Sequence, residues 1–164
     1  MAKKDLHKFT VQEAVNRTFE VFTVTPTLDT SAYTDAYVLF NPTIVTGLFE
    51  NKDDACMIKS VTVIDADDQG IAWELYFTTS STVFGTINDT ADIADNTALL
   101  GGVAITLFDA ANDFDNFRIA SIKDINMVIK ANEVDKNVYI GGIAAGTPTH
   151  TASGLTIKIG VQYI

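Results

Sequence analysis

Apolar and polar residues alternate with a period of two along much of this chain, the mark of strands that bury one face. Near the C-terminus Leu155, Ile157, Ile159, Val161 and Tyr163 fall on one face, and Thr156, Lys158, Gly160 and Gln162 on the other. The pattern recurs over 71–79, where Trp73, Leu75 and Phe77 alternate with Ala72, Glu74, Tyr76 and Thr78. Just upstream, 57–66 is rich in β-branched residues (Ile58, Val61, Thr62, Val63, Ile64). Between the two runs lies Asp65-Ala66-Asp67-Asp68-Gln69-Gly70, dense in turn formers, so together they predict a long β-hairpin from Met57 to Thr79.

Further strands are predicted over 18–25, 36–40, 103–108, 125–131 and 138–143, with a short one over 117–122. The gaps between them hold Gly, Asn, Asp, Ser and Thr, as in Ala110-Ala111-Asn112-Asp113 and Gly146-Thr147-Pro148. Gly101-Gly102 and Gly141-Gly142 flank strands and read as bulges or tight bends. Helical patterning is confined to two turns over Val11–Arg17 and one short turn within Thr90–Leu100, with Leu99-Leu100 as a helical end before the glycines. Neither could cross over a parallel sheet. The expected fold class is all-β, an antiparallel β-sandwich or jelly roll with at most one or two short helices. No internal repeat or low-complexity linker is visible. The expected organisation is a basic N-terminal arm over 1–17 and a single β-sandwich domain over 18–164.

Composition agrees with a packed core. The chain has 164 residues, 47% of them hydrophobic and 20% charged, with ten Phe and five Tyr against three Pro. Its formal net charge is −10. A nucleic-acid partner would need a basic footprint to displace counterions, so none is expected. The charge is uneven: Lys3, Lys4, Lys8 and Arg17 crowd the N-terminus, whereas from Phe19 to Asn116 only Lys52 and Lys59 are basic, against sixteen acidic residues. A basic arm of this kind could dock on an acidic neighbour, including a copy of the same chain. The segment after Lys8 is too polar for a secretory signal, and no stretch of about 18 apolar residues could span a bilayer. A soluble chain made in the cytosol, with no membrane partner, is expected.

The search for chemistry yields little. Cys56 is the only cysteine, beside Met57 and Ile58, and reads as a small buried hydrophobe. There are two histidines, His7 in the arm and His150 in the polar loop Pro148-Thr149-His150-Thr151-Ala152-Ser153-Gly154, too few for the His cluster of a cupin. Ser153 and His150 could be imagined in a triad, but no Gly-x-Ser-x-Gly elbow supports one, and a surface loop is the reading. The Asp65–Gly70 segment has the opening of a calcium loop, yet its twelfth position is Tyr76, where a bidentate Glu is needed. It is taken as a turn, with a weak calcium site formed by Asp65 and Asp67 together with other loops left open. Asp109, Asp113 and Asp115 read as a solvated acidic loop, without the defined carboxylate separation of a glycosidase. No phosphate loop or zinc spacing is present. No enzyme activity, cofactor, catalytic residue or metal ligand is therefore assigned.

Several stretches resemble the small jelly-roll head-decoration, or capsid cement, proteins of tailed bacteriophages. They are the Met57–Thr79 segment with its Asp-rich turn, Phe84-Gly85-Thr86-Ile87-Asn88, Asp92-Ile93-Ala94-Asp95, Leu99-Leu100-Gly101-Gly102-Val103, Val138-Tyr139-Ile140, Gly146-Thr147-Pro148-Thr149-His150 and the final strand from Leu155 to Ile164. They are spread over 57–164, about two-thirds of the chain; Met1 to Thr25 matches least. The resemblance implies a virion structural protein, a homo-oligomer that binds the major capsid protein on the capsid surface and stabilises the shell. Phe22, Val24, Tyr76 and Val128, on nominally outer strand faces, are the apolar positions expected to serve subunit contacts. The alternative is a carbohydrate-binding jelly-roll module of a phage fibre or tail component, using Tyr33, Tyr37 and the Asp109–Asp115 loop.

Overall fold

The computed structural model describes residues 19–52, 54–106, 108–114 and 116–164. The basic arm, His7 and the Val11–Arg17 turns lie outside the described residues. Among the described residues nine strands follow in chain order: β1 (Phe19–Val24), β2 (Val38–Ile44), β3 (Ala55–Asp65), β4 (Trp73–Thr78), β5 (Leu99–Ile105), β6 (Phe108–Phe114), β7 (Phe117–Lys130), β8 (Tyr139–Ala144) and β9 (Leu155–Tyr163). They form a five-stranded sheet in the order β1-β9-β3-β7-β6 and a four-stranded sheet in the order β2-β8-β4-β5. Every pairing is antiparallel.

The topology has a simple physical description. β1 pairs with β9, β2 with β8, β3 with β7 and β4 with β5, so the chain doubles back on itself as one long ribbon. Rolling that ribbon until β9 also meets β3, and β8 meets β4, gives two facing sheets. This is the jelly roll of the expected fold class, with β6 added beside β7. Outside β6, the apolar faces of the strands point between the sheets. Ile58, Val61, Val63, Ile157, Ile159 and Val161 line one side, and Leu39, Phe40, Trp73, Leu75, Phe77 and Ile140 the other. Phe40 meets Trp73 edge to face, ring centroids 5.6 Å apart. Cys56 is fully buried here, and desolvation pushes its thiol up to about 12.

Four local expectations are corrected. β3 and β4 are not a hairpin: they belong to opposite sheets, and the Asp-rich turn carries the chain across the end of the sandwich. The predicted strands 117–122 and 125–131 are one strand, β7, interrupted where its register with β3 shifts between Ile58 and Ser60. Asp124 and Asn126 take positive φ there (56° and 54°), a conformation that Asp and Asn tolerate better than most residues. Residues 109–114, read as turn and acidic loop, form with Phe108 the backbone of β6, so Asp109 and Asp113 lie in a strand. The turn within 90–100 is a single 3₁₀ turn, Asn96–Ala98, and Leu99-Leu100 open β5 instead of ending a helix.

Both glycine pairs adjoin irregular pairing. Gly101 sits beside a register shift between β4 and β5, and Gly142 pairs with Phe40 between two register shifts of β2 against β8. Against β4, Gly141 and Gly142 pair in unbroken register with Tyr76 and Leu75. Their role is space: a Cβ on Gly142 would strike the Phe40 ring inside the core, and one on Gly141 would strike the Phe84 ring on the opposite side.

Candidate functional site

At one end of the sandwich three connections converge. The β3–β4 turn supplies Asp65 and Asp67, the β8–β9 loop supplies His150, and the loop before β2 supplies Tyr33. Pairing of Asp65 with Leu155 across β3 and β9 sets the turn beside the loop that precedes Leu155. Asp65 is 1% exposed, and its carboxylate organises the turn by accepting from the Asp67 N–H (3.1 Å) and the Gly70 N–H (2.7 Å). Gly70 has φ of +58°, and a Cβ there would run into Arg118. Arg118 donates through Nε to Asp68 Oδ1 at 2.7 Å.

Asp67 reaches the other loop. Its Oδ2 accepts from the Thr151 N–H at 2.7 Å, and its Oδ1 from the Thr151 hydroxyl at 3.0 Å. Gly154 is needed close by, since a Cβ on it would collide with the Asp67 carboxylate. His150 stands behind this contact, 5% exposed, with Tyr33 edge-on to its ring at 6.4 Å. The Tyr33 N–H donates to Pro148 O (2.8 Å) and the Tyr33 hydroxyl to Leu39 O (3.0 Å), anchoring the third loop. His150 Nδ1 lies 3.7 Å from Asp65 Oδ1 and 3.4 Å from Asp67 Oδ2. It is buried without a hydrogen-bond partner. Asp65, Asp67 and His150 thus offer three ligand atoms within 4.8 Å of one another.

The expected surface loop is present, with Thr151, Ala152 and Ser153 exposed, but the structure corrects the place of His150, which turns inward from it. The missing signal was non-local, because only the β3–β9 register brings the loop to the turn. Ser153 is exposed while His150 is buried against the aspartates. Tyr33 is also corrected. It is 2% exposed and its hydroxyl is engaged, so it offers no platform for a sugar. Burial pushes its phenol up to about 12. Tyr37 is partly buried and packed against the core.

A second region is defined by the outer faces of the sheets. On the five-stranded sheet the registers align Phe19, Gln162, Met57 and Val128 in a row across β1, β9, β3 and β7. Val21 belongs to the next row, with Gly160, Ser60 and Lys123. Phe19 is 64% exposed, Val21 67% and Val128 54%. Val128 is therefore an outward apolar position as expected. Phe22 and Val24 are not: they pair with the inward-facing Ile159 and Ile157 and pack on the core. Tyr76 is half-buried, edge-on to Phe84 at 6.2 Å.

The four-stranded sheet is finished differently. Phe84, 2% exposed, lies over Gly141 on its outer face. Asn41 holds it there, accepting from the Phe84 N–H at 2.7 Å and donating to Gly85 O at 2.9 Å. Backbone bonds from Asn88 N–H to Val38 O and from Val38 N–H to Asp89 O lay the same segment along β2.

Beside the foot of β1 is a cleft of about 420 Å³, lined by Glu20, Glu50, Asp54, Leu48, Tyr163 and Ile164 among others. The Tyr163 hydroxyl donates to Leu48 O at 2.8 Å, and burial raises its phenol above the ordinary range. Among the described residues, no helix is long and apolar enough to cross a membrane.

No protein-family model and no curated protein matches the chain. Among solved structures it is similar to that of tomato aspermy virus, with 11% identity over 89% of this chain and 76% of the other, at a TM-score of 0.42. The coat protein of tobacco streak virus aligns at 12% identity over 87% and 85% of the two chains, with a TM-score of 0.30. VP2 of the infectious bursal disease virus subviral particle aligns at 12% over 89% of this chain and 37% of its own, also at 0.30. The phage head-decoration proteins that the sequence resembles are not among these three. The architecture itself rests on the strand pairing described above.

Proposed function

We propose that the chain is a virion structural protein that binds the outer surface of a phage capsid as a homo-oligomer and stabilises the shell. The observation that carries this reading is the asymmetry of the two outer faces. Phe84 covers the middle of one sheet, which still exposes Ile44 at the end of β2 and Val83 in the covering segment, whereas the other leaves Phe19, Val21 and Val128 exposed in adjoining rows. Large exposed apolar side chains gathered on a regular face favour contact with another protein surface. In this reading that face meets the major capsid protein. The acidic cleft lined by Glu20, Glu50 and Asp54 is complementary in charge to the basic stretch of Lys3, Lys4, Lys8 and Arg17, and receives it from a neighbouring copy. The resemblance of the sequence segments to cement proteins adds independent support. A net charge of −10 favours a protein partner over a nucleic acid.

The test is sedimentation with assembled phage heads, and then electron microscopy of the particles. The native chain is expected to pellet with the heads and to appear as density on their outer surface. A folded chain that stays in the supernatant, or is found inside the shell, would end this reading.

A further inference from the structure

The geometry points to a structural site for one divalent transition-metal ion, of the zinc class, formed by Asp65, Asp67 and His150. It is independent of the capsid reading. Two carboxylates and one imidazole converge at the end of the sandwich, and the imidazole is the decisive member. A buried polar nitrogen without a partner costs stability, and protein interiors rarely leave one so. His150 Nδ1 is such a nitrogen, and it faces Asp65 Oδ1 at 3.7 Å and Asp67 Oδ2 at 3.4 Å. Those gaps are long for hydrogen bonds. They suit atoms that share an ion: ligands on a zinc tetrahedron with bonds of about 2.1 Å sit roughly 3.4 Å apart.

The donors also select the metal. Calcium takes six to eight oxygens, and a buried imidazole serves it poorly. Imidazole with carboxylates suits zinc and its first-row neighbours, with a fourth position left for water. Two negative charges balance the ion. Each carboxylate is oriented by hydrogen bonds from the main chain, Asp65 by Asp67 and Gly70, Asp67 by Thr151. Such outer contacts are what hold metal ligands in place. The Tyr33 ring fixes the imidazole from behind. The bound ion would cross-link the β3–β4 turn to the β8–β9 loop, a staple for this end of the roll.

Full-length protein stripped with EDTA and dialysed is titrated with zinc chloride by calorimetry, and melted with and without zinc. One ion per chain and a higher melting temperature are expected, since an ion that binds only the native state stabilises it. Asp67→Asn, which retains an acceptor for the Thr151 N–H, is expected to weaken zinc binding at least about 100-fold. His150→Phe, which keeps a ring against Tyr33, should do the same. His7→Ala should bind zinc as the native chain does. Circular dichroism reports which variants fold, and if His150→Phe does not, Asp67→Asn decides. The assignment is overturned if the folded native chain takes up no zinc, if Asp67→Asn binds it unchanged, or if His7→Ala abolishes uptake. Tighter binding of calcium than of zinc would remove the imidazole from the site and overturn it equally.

Discussion

Phe84 and Phe19 are both large aromatic residues set on the outer face of a sheet, and the chain treats them in opposite ways. Phe84 is seated over Gly141, clamped by Asn41 and almost removed from water. Phe19 stands in the open beside Val21 and in line with Met57 and Val128. Burying a Phe side chain is worth about 1.5–3 kcal/mol relative to leaving it exposed. The four-stranded sheet gains that stabilisation within one chain. On the five-stranded sheet the described residues leave it unclaimed. The contrast separates what keeps the monomer folded from what it can offer to a partner.

That contrast can be broken from either side. Phe84→Ala should have the largest effect, costing about 3–5 kcal/mol of stability in urea denaturation, because it leaves a cavity over Gly141 and uncovers Tyr76. On the open face, the double variant Phe19→Asp with Val128→Asp should unfold at the native denaturant concentration to within about 0.5 kcal/mol per site. Its binding to assembled heads should fall at least about 30-fold, the loss of about 2 kcal/mol expected of central interface residues. Equal stability losses on the two faces would remove the distinction. Asn41→Ala sharpens it: with the Phe84 N–H and Gly85 O left without their partner, about 1–3 kcal/mol should be lost while binding to heads is retained.

A pH-dependent effect concerns the core shared by both faces. Burial raises the Cys56 thiol from its ordinary 9 to about 12, and the Tyr33 phenol from 10 to about 12. Both groups are neutral when protonated, and both values are raised in the folded state. Their stabilisation is therefore complete below about pH 9 and fades as pH rises from there through about 12. Equilibrium unfolding measured across that range should show the decline, and Cys56→Ala should delay its onset.

What could be read in the sequence was local. The alternation in 71–79 and 155–163 is a property of neighbouring residues, and β4 and β9 lie where it places them. Turn chemistry at Asp65–Gly70 marks a reversal, but it does not say whether the chain stays in one sheet or crosses to the other, hence the mistaken hairpin. In β1 the sequence Phe-Glu-Val-Phe-Thr-Val offers apolar residues in both frames, and only pairing with β9 decides that Phe22 and Val24 turn inward. β6 was hidden because Asp, Ala and Asn within it are turn and loop residues by composition. His150 was hidden for a related reason: its burial is set by a contact with a turn more than eighty residues earlier.

The rolled ribbon also sets an order in time. β1 meets β9 across almost the whole described chain, and closing so long a loop is entropically costly until other contacts hold its ends together. β4 and β5 are near neighbours in sequence and can meet early. The row of Phe19, Gln162, Met57 and Val128 draws on β1, β9, β3 and β7, so it exists only after the most distant strands have joined. A chain in which β1 and β9 have not yet paired therefore lacks that row.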